Sequence, residues 1–328
     1  MTYGDIVLEK ETIKVSKLCF GSLCIGHLQS DMELNDGAEV IKRAYDSGVN
    51  FIDTAQLYGT YKYIRAAFDR YNIDKSSVVI STKTYAYTRE LAEKALNEAL
   101  HELGRDYIDI FMLHEQESIH TLHGHMDALE YLLEQKEAGR IKAVGISTHC
   151  VDGVLGAVEF NSENKNKNYK LDVIHPMYNM SGLGIIGTLD NMETALLKAK
   201  QSGFFIFSMK ALGGGNLYSK AGEALNFVLD KPFIDSVAVG MKSVLEVNAN
   251  VNFFETGKFP EEYYKLYNNT KKRLHIDDWC AGCGNCVKIC PAKALEISAG
   301  NQAVCNAGKC VLCGYCSSVC RDFAIKII

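Results

Sequence analysis

Proline is scarce, at four in 328 residues, and tryptophan occurs once. So little proline excludes a Pro-rich scaffold, and no long polar tract marks disorder. No apolar run approaches about 18 residues, the length a helix needs to cross a bilayer. The opening stretch from Met1 to Glu9 lacks the basic and then apolar regions of an export signal. Positive charge is not in excess either, with 35 Lys and Arg against 40 Asp and Glu. The net charge of −5 gives no general attraction to nucleic acid or anionic lipid. The expectation is a cytoplasmic chain with no nucleic-acid or membrane partner. An apolar share of 47% suits a globular protein, and the length allows about two domains at ~150 residues each.

Cysteine is the abundant exception. Twelve are present, and nine fall between Cys280 and Cys320. Clustered thiols without an export signal point to metal and away from disulfides. The spacing Cys-x2-Cys-x2-Cys-x3-Cys occurs twice, from Cys280 to Cys290 and from Cys310 to Cys320. Three thiolates on a tight loop hold three irons of one cube, while the fourth Cys turns to the partner cluster. That pattern assigns Cys280, Cys283, Cys286 and Cys320 to one 4Fe–4S cluster, and Cys310, Cys313, Cys316 and Cys290 to another. Gly282, Gly284 and Gly314 let backbone amides approach cluster sulfide. A pair of zinc sites is the alternative, which the doubled spacing disfavours. Cys305 matches no ligand slot and reads as a spare small residue. The segment from about Ile276 to Ile328 resembles the bacterial two-cluster ferredoxin module, a small α+β unit. It departs at Arg321, where a second proline usually follows the fourth Cys. The resemblance implies one-electron transfer at each cluster.

Before the cysteines, short β-rich runs recur about every thirty residues. They begin at Leu18, Asn50, Val78, Ile108, Ala143, Asp172, Phe204 and Val237. Continuous apolar runs of this kind suit strands buried on both faces of a parallel sheet. Amphipathic helical patterns fill gaps: Leu34 to Ser47, Met126 to Ala138, Leu189 to Gln201 and Val244 to Phe254. The clearest follows Thr88, its expected N-cap, and stops at Gly104. Eight strands alternating with helices over roughly 250 residues predict a (β/α)8 TIM barrel. A doubly wound sheet is the runner-up. The stretch ahead of Leu18 reads as a short hairpin plugging the barrel bottom, and the polar run from Ser162 to Lys170 as a solvated loop. From Pro260 to Arg273 the charges run acidic to basic, as a connecting helix favours. The organisation expected is a barrel over 1–258, a connecting helix over 259–275 and the iron–sulfur unit over 276–328.

Catalytic residues of such barrels sit at the C-terminal ends of strands. Those ends carry Asp53, Tyr58 in the following loop, Lys83 and His114. A Tyr hydroxyl has a pKa of ~10, and a neighbouring cation eases loss of its proton. Lys83 is placed to supply that charge, Asp53 to hold the Lys, and His114 to orient a carbonyl. The run from Asn50 to Gly59, Ser81-Thr82-Lys83, Tyr107 through His114, and Val144-Gly145-Ile146-Ser147 resemble the aldo-keto reductase family over about residues 3 to 255. The resemblance implies a catalytic tetrad of Asp53, Tyr58, Lys83 and His114, hydride exchange with a nicotinamide, and a small carbonyl or alcohol substrate. It also implies NADP(H) contacts at Gly21, Ser22, Asp53, Ser147, His175, Met209, Leu212, Gly214, Lys242, Ser243, Glu246 and Asn250. Lys242 and Ser243 would meet the 2′-phosphate. Three positions depart from the family around the nicotinamide ring: Met209 stands for an aromatic, and Thr148 and His175 for the carboxamide-binding Asn and Gln.

The leading expectation is an iron–sulfur aldo-keto reductase with Tyr58 as general acid or base. The alternative is an electron-transfer protein whose barrel binds a ligand or partner without ordinary carbonyl reduction. A third is that the clusters only staple the tail or sense oxygen. An external redox protein is the candidate electron partner.

Overall fold

A computed structural model describes residues 1–9, 11–165, 169–269 and 273–327, with the backbone alone at 266–269. It opens on an antiparallel hairpin of β1 (Tyr3–Val7) and β2 (Thr12–Ser16). Eight parallel strands follow: β3 (Leu18–Gly21), β4 (Phe51–Asp53), β5 (Val79–Thr84), β6 (Ile108–Leu113), β7 (Ile141–Thr148), β8 (Val173–Pro176), β9 (Phe205–Ser208) and β10 (Ser236–Gly240). They pair in chain order, and β10 returns to β3 with Val237 opposite Leu18, which closes the barrel. A doubly wound sheet would leave two edges open. The helices between strands are α1 (Leu34–Asp46), α2 (Tyr61–Tyr71), α3 (Arg89–Leu103), α4 (Ile119–Gly124), α5 (Met126–Glu137), α6 (Val151–Glu163), α7 (Leu189–Gln201), α8 (Ala221–Leu229) and α9 (Val244–Thr256).

Strand periodicity settles what reaches the centre. Successive side chains point to opposite faces, so every second residue faces the barrel axis. Phe51, Val79, Ile110, Met112, Val173, Phe205 and Phe207 form that inner layer, and Ile6, Ile13 and Val15 of the hairpin cap it from below. Two residues further along each strand, the same face carries Asp53, Lys83, His114, His175 and Met209. The intervening residues, such as Ile52, Ile80, Phe111 and Ile174, pack against the helices instead. The plug and the polar ring above it are thus two consequences of one alternation.

Helix α3 is capped as its sequence requires: Thr88 Oγ1 accepts from the Leu91 amide at 3.4 Å, and Gly104 takes a left-handed φ of 62°. The polar run after Ser162 differs from the expected loop. Helix α6 carries on through Ser162 and Glu163, and buried Asn164 donates to the Phe160 carbonyl at 2.9 Å. An amide side chain there satisfies a carbonyl that the ending helix would otherwise orphan. Residues 166–168 of that run lie outside the described residues.

The connecting helix α10 (Glu261–Asn269) starts directly after Pro260. Its buried Tyr263 stacks on Phe259 with ring centroids 4.1 Å apart. Lys271 and Lys272 lie outside the described residues. The cysteine-rich unit contains β11 (Leu274–Ile276), α11 (Asn285–Ile289), β12 (Leu295–Ile297), β13 (Ala303–Cys305), α12 (Tyr315–Ser318) and β14 (Ile325–Ile327), with β11 pairing β14 and β12 pairing β13. It seats on the C-terminal mouth of the barrel through buried Phe323. A Cβ at Gly184 or Gly214 would stand 1.7 or 2.7 Å from that ring, so only glycine permits the approach. Ser317 Oγ donates to Asn216 Oδ1 at 2.5 Å, and His275 Nε2 lies 2.9 Å from the Leu28 carbonyl. Among the described residues no helix is long and apolar enough to cross a membrane.

Candidate active site and cysteine cradles

A cavity of about 670 Å³ opens above the polar ring, in the size range of small-ligand sites. Its floor is built on a buried ion pair. Lys83, with no exposed surface, donates to both carboxylate oxygens of Asp53 and to the Thr54 carbonyl, each at 2.8 Å. An ammonium has three protons, and all three are committed here. Burial alone would raise the Asp53 carboxyl, but Lys83 and His175 outweigh it and hold the group down at about 2. Lys83 Nζ lies 5.0 Å from the Tyr58 ring centroid. Burial pushes the Tyr58 hydroxyl well above its ordinary value, and Asp53, Tyr85 and Glu115 push the same way. The expectation that Lys83 eases this proton off is reversed in the structure. Asp53 neutralises the cation, and desolvation of a phenolate dominates.

His114 completes the floor. Its ring meets Tyr58 edge-on at 5.8 Å and stacks on Tyr85 at 4.3 Å. Burial, then Lys83, hold its imidazole well below the usual range, so it is neutral near pH 7. The buried Nδ1 has no hydrogen-bond partner among the described residues.

The residues expected around a nicotinamide nucleotide divide into two groups. Gly21, Asp53, His175, Met209, Leu212, Gly214, Lys242 and Glu246 line the cavity. Ser22, Ser147, Ser243 and Asn250 do not: each is engaged with protein. Ser22 Oγ shares a proton with Thr60 Oγ1 at 2.8 Å, and Ser147 Oγ accepts from the Glu115 amide at 2.9 Å. Ser243 caps α9 by accepting from the Glu246 amide at 3.1 Å, and Asn250 donates to the Glu246 carbonyl at 2.8 Å. His175 Nδ1 sits 2.6 Å from the Phe207 carbonyl and Nε2 sits 3.6 Å from Asp53 Oδ2. Both ring nitrogens therefore face protein groups. Thr148 falls on the outward phase of β7, and its Oγ1 accepts from the Cys150 amide at 2.9 Å. A Cβ at Gly153 of α6 would lie 2.2 Å from that hydroxyl, so Thr148 faces the helix layer and not the cavity.

The cysteine-rich unit brings its thiols into two crossed sets. One small cavity is bounded by Cys310, Cys313 and Cys316 together with Cys290. The other set surrounds Cys286: burial pushes that thiol up, and Cys280, Cys320 and Cys283 are close enough to act on it electrostatically. The donors in each set are thiols, the chemistry that 4Fe–4S clusters take. Backbone amides already point at sulfur, from Ala294 to Cys290 at 3.3 Å and from Ala303 to Cys280 at 3.4 Å.

A family model for the aldo/keto reductases matches residues 17–223. The chain belongs to the aldo/keto reductase family. A second model, the 4Fe-4S dicluster domain, matches residues 273–321. L-galactose dehydrogenase of Arabidopsis thaliana is 24% identical over 73% of this chain and 84% of its own length. The oxidoreductase YqkF of Bacillus subtilis is 21% identical over 82% of this chain and 98% of its own. The crystal structure of a Pseudomonas aeruginosa protein described as an aldo-keto reductase superposes with a TM-score of 0.61 at 20% identity, covering 75% of this chain and 91% of that one. Aldo/keto reductases are oxidoreductases acting on small carbonyl compounds. This one carries an iron–sulfur domain of dicluster type at its C-terminus.

In this aldo/keto reductase the dicluster domain forms part of the cavity wall. Trp279, Arg321, Asp322, Lys326 and Ile327 line it from above, and Lys210 lines it from the end of β9. Sequence reasoning passed over Lys210, Tyr85, Glu115 and His149, which also line the cavity. All four directly follow or closely trail a flagged strand-end residue, and that position was the only available signal.

Proposed function

We propose that this chain catalyses NADP(H)-linked interconversion of a small carbonyl compound and its alcohol, with Tyr58 as general acid in reduction. The reading is carried by the convergence of Tyr58, His114 and the Asp53–Lys83 pair on the cavity floor. A nicotinamide held in the cavity would supply the hydride chemistry at the carbonyl carbon. Tyr58 keeps its proton at rest and holds it for the carbonyl oxygen. Neutral His114 orients that oxygen, and the buried ion pair keeps the Tyr58 ring in place. Gly21, Met209, Leu212 and Gly214 supply walls for the nucleotide. The division into 1–258, 259–275 and 276–328 belongs to the same reading.

Lys242 lines the rim of the cavity at the N-terminus of α9, where both the side chain and the helix dipole favour a phosphate. A charge-assisted contact contributes about 1.5–3 kcal/mol, or roughly tenfold to a hundredfold in affinity. NADPH is therefore expected to bind more tightly than NADH by that factor, and Lys242→Ala to remove most of the preference. Calorimetry on the anaerobic protein measures both; equal affinities in the wild type would count against it.

Cys280, Cys283, Cys286 and Cys320 are proposed to hold one 4Fe–4S cluster, and Cys290, Cys310, Cys313 and Cys316 the second. Such clusters supply one-electron transfer when bound. Cys320→Ala is expected to damage chiefly the cluster held by the first three cysteines. Anaerobic iron should fall from about eight to about four per chain, with one EPR signal retained. Bound zinc without iron in the wild type would end the assignment.

One observation favours a second reading, in which the clusters couple an external redox protein to chemistry in the barrel. Cys320 is followed at once by Arg321 and Asp322, and both line the cavity. Anaerobic titration of the holoprotein with NADPH, followed by EPR, separates the two. Cluster reduction without a carbonyl substrate supports coupling; unreduced clusters during full NADPH turnover refute it.

A further inference from the structure

Among the described residues, the two buried lysines have carboxylate partners, and half-buried Lys210 has none. Lys83 pairs with Asp53 at 2.8 Å and Lys326 with Asp277 at 2.6 Å. Lys210 makes no ion pair and no side-chain hydrogen bond among the described residues; its ammonium rests 4.4 Å over the Phe323 ring. It is enclosed by protein yet reaches solvent through the cavity that it lines. Its backbone sits in the left-handed region with φ 58°, uncommon for a residue with a side chain. The turn is secured by the Gly213 amide donating to the Lys210 carbonyl at 2.8 Å. Strain of this kind persists where surrounding structure over-determines a position, and such positions cluster at ligand clamps.

The dicluster domain brings Arg321 to the same cavity, again with no hydrogen bond or ion pair among the described residues. Arg321 occupies the position that departs from the usual ferredoxin sequence. Arg321 is exposed, so the cost of an enclosed cation without a counter-ion falls on Lys210, and an incoming anion relieves it.

We propose that Lys210 and Arg321 anchor a carboxylate of the substrate, so that the compounds turned over are carbonyl compounds carrying an acid group. This rests on the reductase reading above. A single negative charge fits better than a phosphate, because Glu115 and Asp322 also line the cavity and would repel a dianion. Burial, together with Lys326, holds the Lys210 ammonium down at about 8, which leaves it mostly charged at neutral pH. Glu115, the neighbour of His114, acts on Lys210 in the opposite sense and lines the same cavity as Tyr58.

The test uses the anaerobic holoprotein with 4-oxobutanoate and 5-oxopentanoate against butanal and pentanal. Wild type is expected to favour the acids in kcat/KM. Lys210→Met should lower that preference about tenfold to a hundredfold, through KM; Arg321→Gln should lower it less, and Lys210→Arg should restore part of it. Butanoate binding to the NADP⁺-loaded protein, followed by calorimetry, should weaken by a similar factor in Lys210→Met. If wild type reduces none of the four aldehydes, the reductase reading fails, while butanoate binding still decides the anchor. The proposal is overturned if wild type shows no preference for the acids. It is equally overturned if Lys210→Met weakens NADPH binding at an unchanged preference, which assigns the lysine to the nucleotide diphosphate. A changed cluster EPR signal at an unchanged preference, or stronger preference for glyceraldehyde 3-phosphate than for any carboxylate, would also end it.

Discussion

Tyr58→Phe is expected to lower kcat for carbonyl reduction by ~10²–10⁴-fold, the usual contribution of a positioned general acid. The phenyl ring keeps the edge-on contact to His114 and the packing over Lys83, so shape is conserved and only the hydroxyl is lost. NADPH affinity by calorimetry and cluster EPR should match wild type. The same geometry fixes a pH profile. Tyr58 titrates well above 10.0, so the acid form persists through alkaline assays; His114 titrates well below 6.5, so its ring stays neutral through mildly acidic ones. Reduction should accordingly run level between about pH 7 and 9. Oxidation, which needs Tyr58 without its proton, should rise with pH across the same window. Wild-type turnover in the Phe variant would remove Tyr58 from the chemistry.

Lys83→Met is expected to destabilise the barrel by about 3–5 kcal/mol, the cost of stranding a buried charge. Asp53 would lose two charge-assisted bonds, and the Thr54 carbonyl its donor. The urea midpoint should fall, and the double variant Asp53→Asn with Lys83→Met should recover much of the loss, because no charge is then left unpaired. Linkage gives a second signature. The Asp53 carboxyl is held at about 2 against 3.8, so its ionised form stabilises the fold above about pH 3.8 and that contribution is lost as pH falls toward 2. In Lys83→Met the carboxyl titrates upward, and acid unfolding should no longer carry this component. An unchanged midpoint would mean that the pair contributes nothing net.

Much of the molecule was legible from local pattern. The eight apolar runs became the eight barrel strands within a residue or two at their starts, and Thr88 and Gly104 bound α3 as expected. Helix α6 was harder to see, because Gly153 and Gly156 lower helix propensity in isolation. Its reason for glycine is contact across the fold: a Cβ at Gly156 would lie 2.4 Å from the Ile119 amide nitrogen.

What the sequence by itself determined is whatever follows from spacing along one segment. Period-two alternation aims Asp53, Lys83, His114 and His175 at the axis, and the doubled x2-x2-x3 spacing marks the dicluster domain. Only the tertiary structure decided how those groups are saturated and what covers them. Asp53 and Lys83 are thirty residues apart, and only barrel closure showed that they exhaust one another and leave Tyr58 with its proton. Thr148 turned to the helix layer against Gly153, and His175 Nδ1 to the Phe207 carbonyl, while the His175 ring still lines the cavity. Phe323 placed the dicluster domain over the mouth, where Arg321 and Lys210 line one cavity. Burial and electrostatic partnership are set by neighbours in space, and no local period along the chain encodes them.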